Sequence, residues 1–224
     1  MPSSKNMATV ASRTLVLASG SPRRRELMGK YFNHVELNRP SDEEPEPEAD
    51  EKPDVYALRV ARTKAEQIAQ RRHDAVVIAA DTVVALDGDI MGKPQDENEA
   101  ISMLQRLRGK THRVTTGVVV LDTGTGLSYK AAPQTAVTMR GYSGGEIEAY
   151  AASGEPMDKA GGYAIQDATF KPVSNIEGCY LNVVGLPVCV LADLLVQAGK
   201  TNEMKMDVAA PVECTDCTFG KAAR

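Results

Sequence analysis

Three arginines in succession, Arg23, Arg24 and Arg25, follow Ser21 and Pro22 in the stretch LVLASGSPRRRELM. Ser-Pro is a helix start signal, which puts the arginines on a first turn whose bare N–H groups and positive dipole end disfavour cations. Each exposed arginine there costs about 0.3–1 kcal/mol. An anion docked at the turn reverses the sign, because backbone donors, dipole and guanidinium forks then converge on it. A cation at about 4 Å contributes on the order of 4 kcal/mol at an effective dielectric near 20, so the arginines would supply most of the hold on a polyphosphate. The alternative is a solvated basic face paired with acidic residues elsewhere.

Two more charges are out of place. Helical projection of residues 55 to 70 sets Lys64 between Ala57 and Val60, inside the edge of the apolar arc, so it points inward, lines a cleft wall or snorkels. Asp81 interrupts the near-continuous apolar run AVVIAADTVVAL; a carboxylate there either bonds locally or lines a site where a sheet opens. Lys93 follows in the loop MGKP. Glu43 and its acidic neighbours read as ordinary solvated loop charge, yet a carboxylate among them facing Asp81 would offer Mg²⁺ two hard oxygen ligands beside a phosphate. No P-loop is present, and the three histidines have no metal-ligand spacing, so kinase and zinc chemistry have no support. Cys214 and Cys217 form a CTDC pair without a second pair to complete four ligands, and Cys179 and Cys189 read as core thiols.

The elements that must position these residues follow from pattern. Residues 15–19 read as a buried strand feeding a helix through Ser19 and Gly20. The stretch 41–53, with seven acids, one lysine and three prolines, reads as loop. An amphipathic helix opened by Asp54 covers 55–70, a strand buried on both faces covers 75–86, and Asp96 with Glu99 caps a helix through Leu107, closed by Gly109. RVTTGVVVLD and LSYKAAPQTAVTM flank TGTG as a hairpin or two neighbouring strands. Ser143 and Glu146 cap a helix to about Ala152, GGYAIQ reads as a short strand, and PVCVLADLLVQAG as a final helix. The apolar pattern stops at Lys200. The chain therefore reads as α/β or α+β with a mixed sheet: a disordered lead-in over 1–13, one domain over 14–199, and a polar tail over 200–224.

The 224 residues carry 26 basic and 30 acidic side chains, a net charge of −4, which argues against general nucleic-acid binding. Hydrophobic content of 42% is ordinary for a soluble globular chain, and no apolar stretch reaches membrane-spanning length. The amino terminus lacks the apolar core of a secretion signal, and four scattered cysteines fit a reducing compartment, so a cytoplasmic location is expected.

Taken together, LASGSPRRREL, the helix carrying TKAEQIA, AADTVV, GKP, LRGKTHRVTTGV and DKAGGYAIQ…IEGCYLNVVGLP resemble, in order and spacing, the Maf family of nucleoside triphosphate pyrophosphatases. The resemblance runs from about Leu15 to Gly199. It implies an elongated α/β fold with a mixed twisted sheet flanked by helices and two lobes about a cleft, similar to the inosine triphosphatase type. It also implies hydrolysis of a nucleoside triphosphate to monophosphate and pyrophosphate with Mg²⁺ or Mn²⁺, by a homodimer. Carried over by position, Ser19, Arg23 and Arg24 match the motif that grips the triphosphate; Lys64, Lys93 and Gln166 match other substrate-binding positions. Asp81 matches the catalytic acidic residue and a metal-side carboxylate, and Glu43 matches a second metal-side carboxylate, with Glu44 open. Asp81-Thr82 resembles the dTTP and UTP subgroup, with Thr82 on the substrate side, where the sister subgroup acting on 7-methyl-GTP carries glutamine. The alternatives are that sister or a non-canonical purine specificity, and a nucleotide-binding regulator of cell division without turnover. Arg25 matches no role.

Overall fold

The computed structural model describes residues 13–41, 43–200, 203–205, 208–209 and 214. β1 (Thr14–Ala18) leads through Ser19, Gly20 and Ser21 into α1 (Pro22–Tyr31), where the Ser21 hydroxyl accepts from the Arg24 amide, as the start signal predicts. β2 (Val35–Leu37) lies parallel to β1. Residues 43 to 52 hold neither helix nor strand. α2 (Pro53–Ala69) begins two residues earlier than the sequence suggests. Its N-cap is Lys52, which makes no side-chain cap, and Pro53 rather than Asp54 opens the helix, its fixed φ supplying the start.

β3 (Ala75–Leu86) has the expected bounds and is followed by β4 (Asp89–Met91) and α3 (Glu97–Leu107), capped by Asp96. β5 (Thr111–Asp122) is the central antiparallel partner. The single strand expected beyond TGTG is divided at Pro133 into β6 (Ser128–Ala131) and β7 (Gln134–Met139), each pairing with a different part of β5. Proline lacks the N–H that would continue the ladder. α4 (Gly144–Ala152) carries a complete Ser143–Glu146 capping box. β8 (Val173–Glu177), α5 (Tyr180–Val184) and α6 (Val188–Gln197) complete the domain.

GGYAIQ forms no strand. Two 3-10 turns, Glu155–Asp158 and Ala160–Gly162, lead into it, and Gly161 and Gly162 sit at φ near 71° and 70°. Those left-handed residues curl the chain away from any strand edge, and Gly161 donates instead to the Gly92 carbonyl.

The sheet is mixed, in the order β2-β1-β3-β5-β7-β8, with β4 added to β3 and β6 to β5. One end of β3 and β5 is sandwiched between α1 with α6 on one face (Leu17, Met28, Tyr31, Ile78, Leu191) and α2 on the other (Val16, Ala61, Ala65, Val77). A second core, with Leu104, Val114, Tyr142, Ile147 and Tyr163, surrounds their other end. These are the two expected lobes. Among the described residues no helix is long and apolar enough to cross a membrane.

The ends of the domain reach further than expected. Residues 1–12 lie outside the described residues, but Arg13 is buried, with its guanidinium on Asp74 and Asp122. Beyond Lys200, Met204 bridges to Phe32, the Lys205 amide donates to the Tyr31 carbonyl, and Cys214 is buried in the first core.

The second core contains His112, 2% exposed, with Nε2 2.7 Å from the Tyr163 hydroxyl. Burial pulls this imidazole from 6.5 to about 4. The unfolded chain then binds the extra proton first, so stability is complete above pH about 6.5 and is lost as pH falls toward 4. Between pH 7 and 5 the loss from this group is roughly 2 kcal/mol. Urea denaturation at the two pH values should show that loss, and His112→Gln should shrink it; an undiminished loss would place the acid sensitivity elsewhere.

Candidate functional site

The sheet opens where β3 changes partner. β1 pairs with β3 only as far as Ala79, and β4 begins its pairing at Val84, so Ala80 to Val83 keep β5 on one side and lose a strand on the other. Asp81 and Thr82 stand in this gap and, being adjacent on a strand, serve opposite faces of the sheet.

On the α2 face, Lys64 places its Nζ 2.7 Å from Asp81 Oδ1 and 2.7 Å from Glu44 Oε1. The side chains of Lys64 and Asp81 are 10% and 11% exposed, against 36% for Glu44. The helix comes close enough because Asp81 is paired with Gly117: a Cβ there would lie 2.5 Å from the Ala57 carbonyl carbon of α2. Burial opposes ionisation of Glu44, yet Lys64, with Lys93 and Arg24 behind it, holds its carboxyl below the ordinary carboxylate value. Tyr56 is pushed up to about 12 by burial, with the negative charge of Asp81 and Glu44 acting in the same direction.

On the other face, Arg24 donates from Nε to the Gly185 carbonyl at 2.8 Å and from Nη2 to Thr82 Oγ1 at 2.9 Å. Thr82 Oγ1 lies 2.9 Å from Thr116 Oγ1, which donates to the Asn182 carbonyl of α5. Burial lowers the Arg24 pKa from its ordinary value, while Asp81 and Glu44 pull it the other way. A half-buried guanidinium held by two neutral acceptors keeps its full charge available for an anion.

These groups line one cleft of about 510 Å³ between the two cores. Ser19, Arg23, Arg24, Lys64, Asp81, Thr82, Lys93 and Gln166 all border it. Ser19 is nearly buried and caps the loop by accepting from the Ser21 amide. Arg23 faces Asp158 across the cleft at 3.6 Å, Lys93 lies 3.9 Å from Glu44, and Gln166 is exposed at the rim. Arg25 is solvent-exposed and outside the cleft.

The carboxylate facing Asp81 is Glu44, not Glu43. Glu43 is exposed and does not line the cleft, whereas its neighbour Glu44 does and accepts from Lys64 Nζ. Arg39, Tyr56 and Lys159 also border the cleft and were missed by sequence reasoning. Lys159, in the DKAGG stretch, is buried against Asp158 and was identifiable only as part of a motif. Six basic and four acidic side chains line the cleft, so it attracts anions even though the chain is acidic overall.

The family model described as Maf-like protein matches residues 14–198. A dTTP/UTP pyrophosphatase of Dehalococcoides mccartyi is 42% identical over 206 residues, 91% of this chain and 90% of that protein. One from Nitratidesulfovibrio vulgaris is 45% identical, covering 84% and 90% of the two chains. A third, from Thermomicrobium roseum, is 44% identical, covering 93% and 95%. With its sequence matched almost end to end and the cleft residues gathered at the sheet opening, the chain belongs to the Maf family.

Proposed function

We propose that the chain hydrolyses nucleoside triphosphates, dTTP and UTP first among them, to the monophosphate and pyrophosphate. The observation that carries this reading is the Lys64-bridged Asp81–Glu44 pair set beside Arg23 and Arg24 in one cleft. The names of the relatives supply the substrate class.

Asp81 is the base. It orients a water against the α-phosphorus and takes its proton as the new P–O bond forms and the bond to the oxygen bridging the α and β phosphates breaks. Arg23, Arg24 and Lys93 offset charge on the triphosphate and the departing pyrophosphate, since phosphoryl transfer depends chiefly on positioning and electrostatics. Lys64 bridges the two carboxylates and holds Asp81 in place.

Mg²⁺ or Mn²⁺ fits the donor set. Among the described residues no three His, Cys, Asp or Glu side chains are arranged to hold a metal, but Mg²⁺ is commonly bound by one or two carboxylates together with substrate phosphates. Asp81 and Glu44 would be those carboxylates. Such an ion would neutralise phosphate charge and assist ionisation of the attacking water.

The test is purified protein with Mg²⁺ and dTTP, UTP, CTP, inosine triphosphate or 7-methyl-GTP, scored for pyrophosphate. Release from dTTP and UTP is expected; preference for 7-methyl-GTP or inosine triphosphate would move the specificity, and no release from any would favour a binding protein. Arg24→Ala should raise KM at least about tenfold with a smaller change in kcat. An unchanged KM would contradict its phosphate role.

A further inference from the structure

The two bonds that hold Arg24 belong to one closed circuit of hydrogen bonds. Thr82 and Thr116 are direct partners across the β3–β5 ladder, so their side chains share a face, with the Oγ1 atoms 2.9 Å apart. Thr116 Oγ1 continues to the Asn182 carbonyl of α5 at 2.8 Å, and the same carbonyl accepts from the Gly185 amide at 3.1 Å. The Gly185 carbonyl then takes Arg24 Nε and Thr82 Oγ1 takes Nη2, which closes the circuit on one guanidinium. Thr116 and Asn182 are both 0% exposed, and neither borders the cleft.

The placing of each proton follows from donor and acceptor chemistry. A carbonyl only accepts, so Thr116 spends its one hydroxyl proton on Asn182. Thr116 can then only accept from Thr82, which spends its own proton there. The Thr82 oxygen keeps its lone pairs for a donor, and a guanidinium, which only donates, is the partner that fits. Nε and Nη2 of Arg24 are thereby committed to the protein, while Nη1 takes part in neither bond and stays available to an anion.

We infer, resting on the proposed grip of Arg24 on the triphosphate, that Thr116 is a positioning residue: by taking the Thr82 proton it makes Thr82 a pure acceptor and so aims the Arg24 guanidinium. A threonine pair that served only the ladder would tolerate either proton order. Here the carbonyl of a third element, α5, selects one. Thr116 touches no substrate itself and acts through Thr82 and Arg24.

The rest of the circuit is held rigidly. Asn182 Nδ2 donates to the Val114 carbonyl of β5 and to Thr135 Oγ1 of β7, both at 3.0 Å, which pins the five-residue α5 to the sheet. Gly185 caps that helix at φ 118°, and a Cβ there would lie 3.3 Å from Thr82 Oγ1 and 3.7 Å from Arg24 Nε. Glycine thus lets a carbonyl and a hydroxyl approach one guanidinium together. Removing the Thr116 hydroxyl opens the circuit in its middle: the Thr82 proton loses its acceptor and can turn toward Arg24, where two donors then meet. The Asn182 carbonyl keeps the Gly185 amide, so the fold loses little.

The experiment compares Thr116→Val, which keeps the shape without the hydroxyl, with Thr116→Ser, which restores it, in the full chain. Thr116→Val should raise the KM for dTTP about threefold or more with kcat within about twofold, and Thr116→Ser should bring KM back to within about twofold of wild type. In an Arg24→Ala background the valine substitution should change KM no further, because its effect passes through the guanidinium. An unchanged KM in Thr116→Val, the same rise with and without Arg24, or a serine variant as impaired as the valine one would overturn the inference. Heteronuclear NMR of the nucleotide-free chain needs no hydrolysis. The Arg24 Nε–H cross-peak, identified by its loss in Arg24→Lys, should shift or broaden in Thr116→Val and hold its place in Thr116→Ser. An unmoved peak would overturn the circuit whatever the enzyme assay shows, whereas a moved peak in a protein whose wild type releases no pyrophosphate would uphold the circuit and overturn the hydrolysis alone.

Discussion

Asp81→Asn is expected to lower dTTP turnover by about 10²–10⁴-fold while leaving nucleotide binding in metal-free buffer close to wild type. The substitution keeps the shape and one acceptor oxygen for Lys64 but removes the proton-accepting carboxylate. Lys64 retains Glu44 as an ionic partner, so the variant keeps its fold and the loss can be assigned to chemistry. Steady-state pyrophosphate release measures the first quantity and equilibrium binding the second. Near-normal turnover would remove Asp81 as the base, and a parallel loss of binding would make it a substrate ligand instead.

Lys64→Met should damage both stability and catalysis. Methionine fills a similar volume without charge, leaving the buried Asp81 carboxylate without its cation. Breaking a buried pair in this way costs about 3–5 kcal/mol, and the lower end applies because Glu44 is partly exposed and can turn to solvent. Turnover should fall at least about 10²-fold, since the base is then mispositioned. The double variant Lys64→Met/Asp81→Asn gives the sharper reading. It should recover much of the lost stability, because no uncompensated buried charge remains at residue 81, yet none of the activity. Additive destabilisation in that cycle would show that the two side chains do not depend on each other.

The parts of the site carried by regular elements were legible because a charge stands out against a periodic background. Lys64 broke the apolar arc of a helix and Asp81 an apolar strand, and the structure brings them together 17 residues apart. Arg23 and Arg24 were marked by a helix start of the wrong sign. Glu44 could not be told from Glu43, because a segment without helix or strand has no period to say which side chain faces inward. The Arg24–Gly185 bond spans 161 residues and depends on where a short helix ends, which no local pattern encodes. In the fold, β3 was readable to the residue because both faces are buried. GGYAIQ failed because its alternation is real but its left-handed glycines bend it out of reach of a partner. β8 and α5 are too short, and too dependent on packing, to have stood out.

The paired strands β3 and β5 also determine how the molecule can move. Each is 12 residues long, about 40 Å of chain, and their register runs without a break from Val76–Asp122 to Ala85–Arg113, through both cores and beneath the cleft. Among the described residues this ladder crosses from one lobe to the other without a break, so separating the lobes as rigid bodies would shear or rupture it. The ladder thus resists any widening of the cleft by parting the lobes, which leaves nucleotide entry to the groups at the rim, among them the Lys93 and Gln166 side chains and Glu44.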